Sequence, residues 1–166
     1  MSKVFEDAFM ELQKDMIDLC YDVVGEGVDG IYVYCSNECC MLQFDVFFAQ
    51  GNKVVHRHQL KEAPKLAAPF LSIGIEYIEK IGALCKANNR PAPTEIKLIY
   101  DVKNCKLRAA YQYAPVQTGD IIFDDLFEKW AAEVEATLNA TPQNTASPEQ
   151  IVSTKKSFLE RLFGKK

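Results

Sequence analysis

The stretch from Pro93 to Tyr113, PTEIKLIYDVKNCKLRAAYQY, most constrains the fold, because it predicts a complete β-hairpin. If Lys103 to Lys106 form the reversal, Val102 lies opposite Leu107 and Asp101 opposite Arg108. Counting outward gives one face that is apolar throughout: Ile96, Leu98, Tyr100, Ala109, Tyr111 and Tyr113. The other face is mostly polar: Lys97, Ile99, Asp101, Arg108, Ala110 and Gln112. The sequence therefore predicts a half-exposed antiparallel hairpin that suits a partner surface better than a catalytic pocket.

Hydrophobic periodicity predicts the elements around this hairpin. Helices are expected at about residues 4–24, 70–88 and 121–138, and strands at about 30–36, 39–50 and 53–59. The second strand has an apolar face of Cys40, Leu42, Phe44, Val46 and Phe48, and a turn at Gly51-Asn52 follows it. The last helix has a predicted buried stripe of Ile122, Leu126, Phe127, Trp130, Ala131 and Val134. The order αβββαββα predicts a single α+β domain with helices packed on an antiparallel sheet.

The domain is predicted to cover residues 1–138. A flexible linker is predicted at 139–154, because this stretch is rich in Thr, Asn, Gln, Ser, Ala and Pro. Residues 155–166 form a short basic tail with an amphipathic pattern in SFLERLFGKK. The tail could contact an anionic membrane surface, dock on the acidic body, engage another protein, or remain without fixed structure.

Charge and cysteine usage restrict the classes of function. The formal net charge is −4, yet residues 155–166 hold five basic residues and one glutamate, a net +4, so residues 1–154 carry −8. An acidic body argues against direct nucleic-acid binding and fits a basic protein partner. The start, MSKVFEDAFMELQKDM, lacks the apolar core of a signal peptide, so a soluble cytoplasmic protein with six reduced cysteines is expected.

Histidines and cysteines give two weak candidates for chemistry. His56 and His58 alternate on the predicted third strand and would share one face, but no third metal ligand has a recognisable spacing. Cys39 and Cys40 would point to opposite faces of a strand, which disfavours a common metal ion, and Cys40 is expected to be buried. No phosphate loop, paired catalytic carboxylates or nucleophile elbow is present. The sequence therefore predicts no enzyme activity, no cofactor and no metal site.

The candidate partner-binding residues are acidic. Asp120, Asp124, Asp125 and Glu128 lie at the start of the last helix, and Asp101 lies in the hairpin. Carboxylates at a helix start complement its dipole, and Asp120 could serve as the N-cap, so a purely structural role is one interpretation. An anionic patch that faces a basic partner is the other.

The hairpin stretch, followed by FDDLFEKWAAEV at 123–134, resembles the YezG-like family of bacterial immunity proteins. The family's pattern is a Pro-x-Glu-Ile strand, a Tyr-Asp hairpin, a Tyr-x-Tyr strand and a Trp-bearing helix. The matching positions here are Pro93, Glu95, Ile96, Tyr100, Asp101, Leu107, Tyr111, Tyr113, Phe127 and Trp130. IYVYCSNE at 31–38 and the Phe-rich second strand extend the similarity to roughly residues 8–138. The Cys-rich first hairpin and the segment after Thr141 depart from the pattern.

This resemblance implies an antitoxin that binds a cognate secreted toxin, often a nuclease, inside the producing cell. A second hypothesis is a type III secretion-like chaperone, because those proteins are similar in size, acidity and element order and bind unfolded effector segments. The oligomeric state distinguishes the two, since such chaperones are expected to be dimers.

Overall fold

The computed structural model describes residues 4–140, which form three long helices and five strands. In chain order these are α1 (Phe5–Val24), β1 (Gly30–Glu38), β2 (Met41–Gln50), β3 (Lys53–His56), α2 (Ala68–Ala87), β4 (Glu95–Asp101), β5 (Lys106–Gln112) and α3 (Phe123–Asn139). Short 3₁₀ turns at Gly25–Gly27, Arg57–Gln59 and Ala63–Leu66 join some of them. The predicted element order and the α+β class are confirmed. The linker was predicted at 139–154, but Asn139 is the last residue of α3. The rest of the predicted linker from residue 141 onward, and the basic tail, lie outside the described residues.

All five strands form one antiparallel sheet in the order β3-β2-β1-β4-β5. Side chains of β1 alternate between the two sides of the sheet. Ile31, Val33 and Cys35 join the core formed with α1 and α2, whereas Tyr34 joins a second core formed with α3. The central strand is therefore covered on both faces, and α3 occupies a layer opposite to α1 and α2.

The β4–β5 register differs from the predicted one by two residues. Asp101 lies opposite Lys106, and Arg108 lies opposite Ile99, so the predicted Asp101–Arg108 cross-strand pair is wrong. The reversal starts earlier because the Asp101 carboxylate accepts hydrogen bonds from the backbone N–H and the side-chain amide of Asn104, at 3.1 and 2.8 Å. A shift of two residues keeps every side chain on its predicted face. It leaves Tyr113 beyond the strand and 53% exposed, not in the core as predicted.

The predicted polar face of this hairpin is not open to solvent along its length. Ile99 packs against the core beneath α3, and Lys97 Nζ lies 5.3 Å from the centroid of the Trp130 ring. The prediction of a half-exposed hairpin is therefore wrong at these positions. A short-range pattern cannot reveal that a helix later in the chain returns to cover the second face.

The apolar stripe of α3 is confirmed except at its first residue. Phe127, Trp130 and Ala131 are buried, and Leu126 and Val134 are partly buried against them. Ile122 precedes the helix and is 53% exposed, whereas the next residue, Phe123, is the first of the helix and is buried. The predicted burial of Ile122 is wrong because the helix begins at Phe123, two residues later than expected.

None of the helices within residues 4–140 is long and apolar enough to cross a membrane. The expectation of a cytoplasmic location stays a prediction.

Candidate functional site

The five predicted acidic residues do not form one surface. Asp124, Asp125 and Glu128 lie in the first turns of α3, with Asp120 just before it, whereas Asp101 lies at the β4–β5 turn. Along β1, Asp101 pairs with Gly30, while the start of α3 packs at Tyr34, whose ring centroid is 5.1 Å from that of Phe123. These two positions are four residues apart along the strand, a distance of roughly 13 Å. Asp101 is therefore remote from the other four.

Three of the five carboxylates have local partners. Asp125 accepts the backbone N–H of Ile122 at 3.1 Å and so satisfies a free donor at the helix start. Glu128 pairs with His56 Nε2 at 3.0 Å. Partial burial opposes ionisation of Asp101, but hydrogen bonds from Asn104 and the nearby Arg108 outweigh it and lower the pKa of the carboxyl. The N-cap position is Ile122, so the alternative that Asp120 caps the helix is wrong.

Asp120 and Asp124 differ from these three carboxylates, because neither side chain has a hydrogen bond or ion pair with another residue of the range 4–140. Between them lie Ile121 and Ile122, which are 45% and 53% exposed. We name these four residues, Asp120, Ile121, Ile122 and Asp124, the α3-start surface. It combines exposed branched apolar side chains with carboxylates that are free to meet a cationic partner.

The loop that carries this surface is tied to the end of β1. Glu38 is buried, and its carboxylate accepts the backbone N–H groups of Val116 and Gln117 at 3.0 and 3.2 Å. The side-chain amide of Gln117 donates to Ser36 Oγ at 2.8 Å. Thr118 and Ile121 exchange two backbone hydrogen bonds, at 3.0 and 2.9 Å. These bonds hold the surface in one conformation, which lowers the entropy cost of binding a partner.

The core beneath the surface is aromatic and contains a buried hydrogen bond. Tyr34 is fully buried against Phe123 and Phe127, and its hydroxyl donates to the buried carboxylate of Glu95. Burial, and then the hydrogen bond to Glu95, raises the pKa of Tyr34, so the phenol remains a donor at physiological pH. The hydrogen bond joins β1 to β4 within the sheet, and ring packing holds α3 over it.

The histidines do not share a strand face as predicted. His56 is the last residue of β3, and His58 belongs to the following 3₁₀ turn. Their ring centroids are 5.7 Å apart, and His56 is held by Glu128. Across residues 4–140 no group of three or more His, Cys, Asp or Glu side chains is arranged to hold a metal ion.

The predicted burial of Cys40 is also wrong. Cys39 and Cys40 form the turn between β1 and β2, with φ of 55° and 59°, and both are exposed. The remainder of the predicted apolar face of β2 is confirmed: Phe44, Val46 and Phe48 are buried and Leu42 is partly buried. The strand begins at Met41, two residues later than predicted, so Cys40 lies in the turn.

The exposure of Ile121 and Ile122 was not predicted from the sequence. The signal that could have identified it is Thr118-Gly119-Asp120, a group of turn-forming residues that separates the two isoleucines from the preceding strand. No protein-family model matches this chain, and a search of curated proteins finds no significant match.

Proposed function

We propose that this protein is an immunity protein that binds a cognate secreted toxin, with a nuclease domain as the expected partner, and neutralises it by protein–protein contact. The observation that carries the proposal is the α3-start surface, where two exposed isoleucines lie between two carboxylates without partners in the described chain. The YezG-like resemblance supports the same conclusion. On this proposal the protein binds and does not catalyse.

The two kinds of side chain have separate roles in binding. Ile121 and Ile122 are anchors, since burying an apolar side chain contributes about 25 cal/mol per Å² of surface removed from water. Asp120 and Asp124 attract a cationic surface and accelerate encounter. A nuclease must hold the phosphate backbone with Lys and Arg, so its substrate-binding face has the complementary charge.

The experiment is capture of partners in the native host, with mass spectrometry and measurement of the mass of the complex in solution. We expect the wild-type protein to recover a folded, basic toxin domain whose activity disappears in the complex. The double variant I121S/I122S should recover at least about 10-fold less, because two anchors are lost. I73S is the matched control, since Ile73 is 41% exposed but lies on α2, in the opposite layer.

Two results would contradict the proposal. Equal recovery of the toxin by I121S/I122S would exclude the α3-start surface as the contact. A homodimer that carries an extended secretion substrate would favour the type III secretion-like chaperone in place of the antitoxin.

A further inference from the structure

Three consecutive sulfur-bearing residues lie at the turn between β1 and β2. Cys39 and Cys40 are the two turn residues, and both are exposed. Met41, the first residue of β2, is 57% exposed and pairs with Glu38 across the end of the hairpin. The packing of the domain does not require any of these three side chains.

The backbone at this turn is one that cysteine disfavours. Both turn residues have positive φ, 55° and 59°, as in the two-residue hairpin turns that strongly prefer Asn-Gly. A side chain with a Cβ atom is strained in this left-handed region. Strain of this kind is concentrated at functional sites, where the side chain has a role that offsets it. Neither cysteine is buried, so core packing does not supply that role.

The turn also removes the geometric objection to shared binding by the two thiols. Adjacent residues of a strand point to opposite faces, but Cys39 and Cys40 lie in a left-handed turn and not in the pleat. Their Cα atoms are joined by one trans peptide and are therefore about 3.8 Å apart. Both cysteines are exposed at this turn, and Met41, the next residue along the chain, is exposed as well.

The other cysteines differ from this pair. Cys20, Cys35 and Cys85 are buried, and burial raises the pKa of each thiol, which keeps them protonated. Cys105 is exposed and has a φ of 54°, but it has no cysteine beside it. All six cysteines of the chain lie within the described residues, and Cys39 and Cys40 are the only two that are consecutive in the sequence.

We propose that Cys39, Cys40 and Met41 bind a soft monovalent cation, Cu(I). Two thiolates and a thioether are the ligands that select Cu(I) over harder ions. Structural Zn²⁺ sites require four ligands, and this turn offers three. On binding, two metal–sulfur bonds to the cysteines replace two S–H bonds, the two protons pass to solvent, and the copper remains Cu(I) throughout. This site is independent of the proposed antitoxin function.

The test is an anaerobic titration of the reduced full-length protein with Cu(I) in competition with a chromogenic Cu(I) chelator. We expect one equivalent to bind tightly. C39S and C40S should each weaken Cu(I) binding by at least about 100-fold, because loss of a direct ligand costs more than loss of an outer-shell partner. M41L should weaken binding by about 10-fold. C105S is the matched control, because it removes an exposed thiol at a positive φ without removing the pair, and it should leave the affinity unchanged.

A second variant separates binding from folding. C39N/C40G introduces the residue pair that this turn prefers, so it should raise the midpoint of thermal unfolding while abolishing Cu(I) binding. Tight binding by C39N/C40G would overturn the proposal. A loss in C105S equal to that in C39S, or uptake of several weak equivalents, would show adventitious thiol chemistry and would overturn it as well.

Discussion

At the scale of single residues, the contact between Tyr34 and Glu95 joins the central strands beneath α3. Glu95 is only 7% exposed, and Lys97 Nζ lies 4.0 Å from its carboxylate. Removing the tyrosine hydroxyl leaves a buried carboxylate short of a donor, and such a group costs about 1–3 kcal/mol. We therefore expect Y34F to lower the free energy of unfolding by that amount, as measured by urea denaturation.

Tyr32 provides the control for this prediction. It lies on the same face of β1 and stacks on Phe47, with ring centroids 4.8 Å apart, but its hydroxyl has no hydrogen-bond partner among residues 4–140. Y32F should change the free energy of unfolding by less than about 0.5 kcal/mol. If Y34F costs no more than Y32F, the buried hydrogen bond does not stabilise the fold.

At the scale of elements, the contact between α2 and β2 depends on a glycine. A Cβ atom added at Gly74 would lie 2.3 Å from Cδ1 of Phe44, a buried ring packed against Phe70. Because the added methyl group would overlap this buried ring, G74A should destabilise the protein by about 1–3 kcal/mol. Thermal and urea unfolding measure this change.

Gly82 in the same helix is the matched control. A Cβ atom there meets nothing closer than the Asn37 side chain at 4.0 Å. Alanine is a better helix former than glycine, so G82A should stabilise the protein by about 0.5–1 kcal/mol. Equal effects of G74A and G82A would mean that close packing of α2 on β2 does not depend on Gly74.

The elements that the sequence predicted best are those with long periodic patterns. The three helices and the β2–β3 hairpin at Gly51-Asn52 follow from apolar spacing and from one glycine, which has the expected positive φ of 63°. The turns at Cys39-Cys40 and at Asp101–Lys106 were misplaced. Cysteine is not a turn-forming residue, and the hydrogen bonds of Asp101 to Asn104 decide where the second hairpin reverses.

At the scale of the whole molecule, the three layers determine which surfaces are available. The sequence identified the acidic start of α3, but it could not assign local partners to Asp125 and Glu128 or distinguish them from Asp120 and Asp124. It also placed Ile122 in the core, because apolar spacing did not show that the helix begins only at Phe123. The α3-start surface therefore depends on where α3 begins and on which carboxylates have partners, and apolar spacing alone gives neither.

The rate of association with the captured toxin at several ionic strengths tests directly whether the α3-start surface meets a basic partner. The charge reversal D120K/D124K should slow association at least about 10-fold at low salt and converge on the wild-type rate as salt screens the charges. The control E76K/E79K makes the same change in net charge on exposed positions of α2, in the opposite layer, and should associate almost as fast as the wild type. Equal rates for D120K/D124K and the wild type at low salt would contradict the assignment of the α3-start surface to a basic partner.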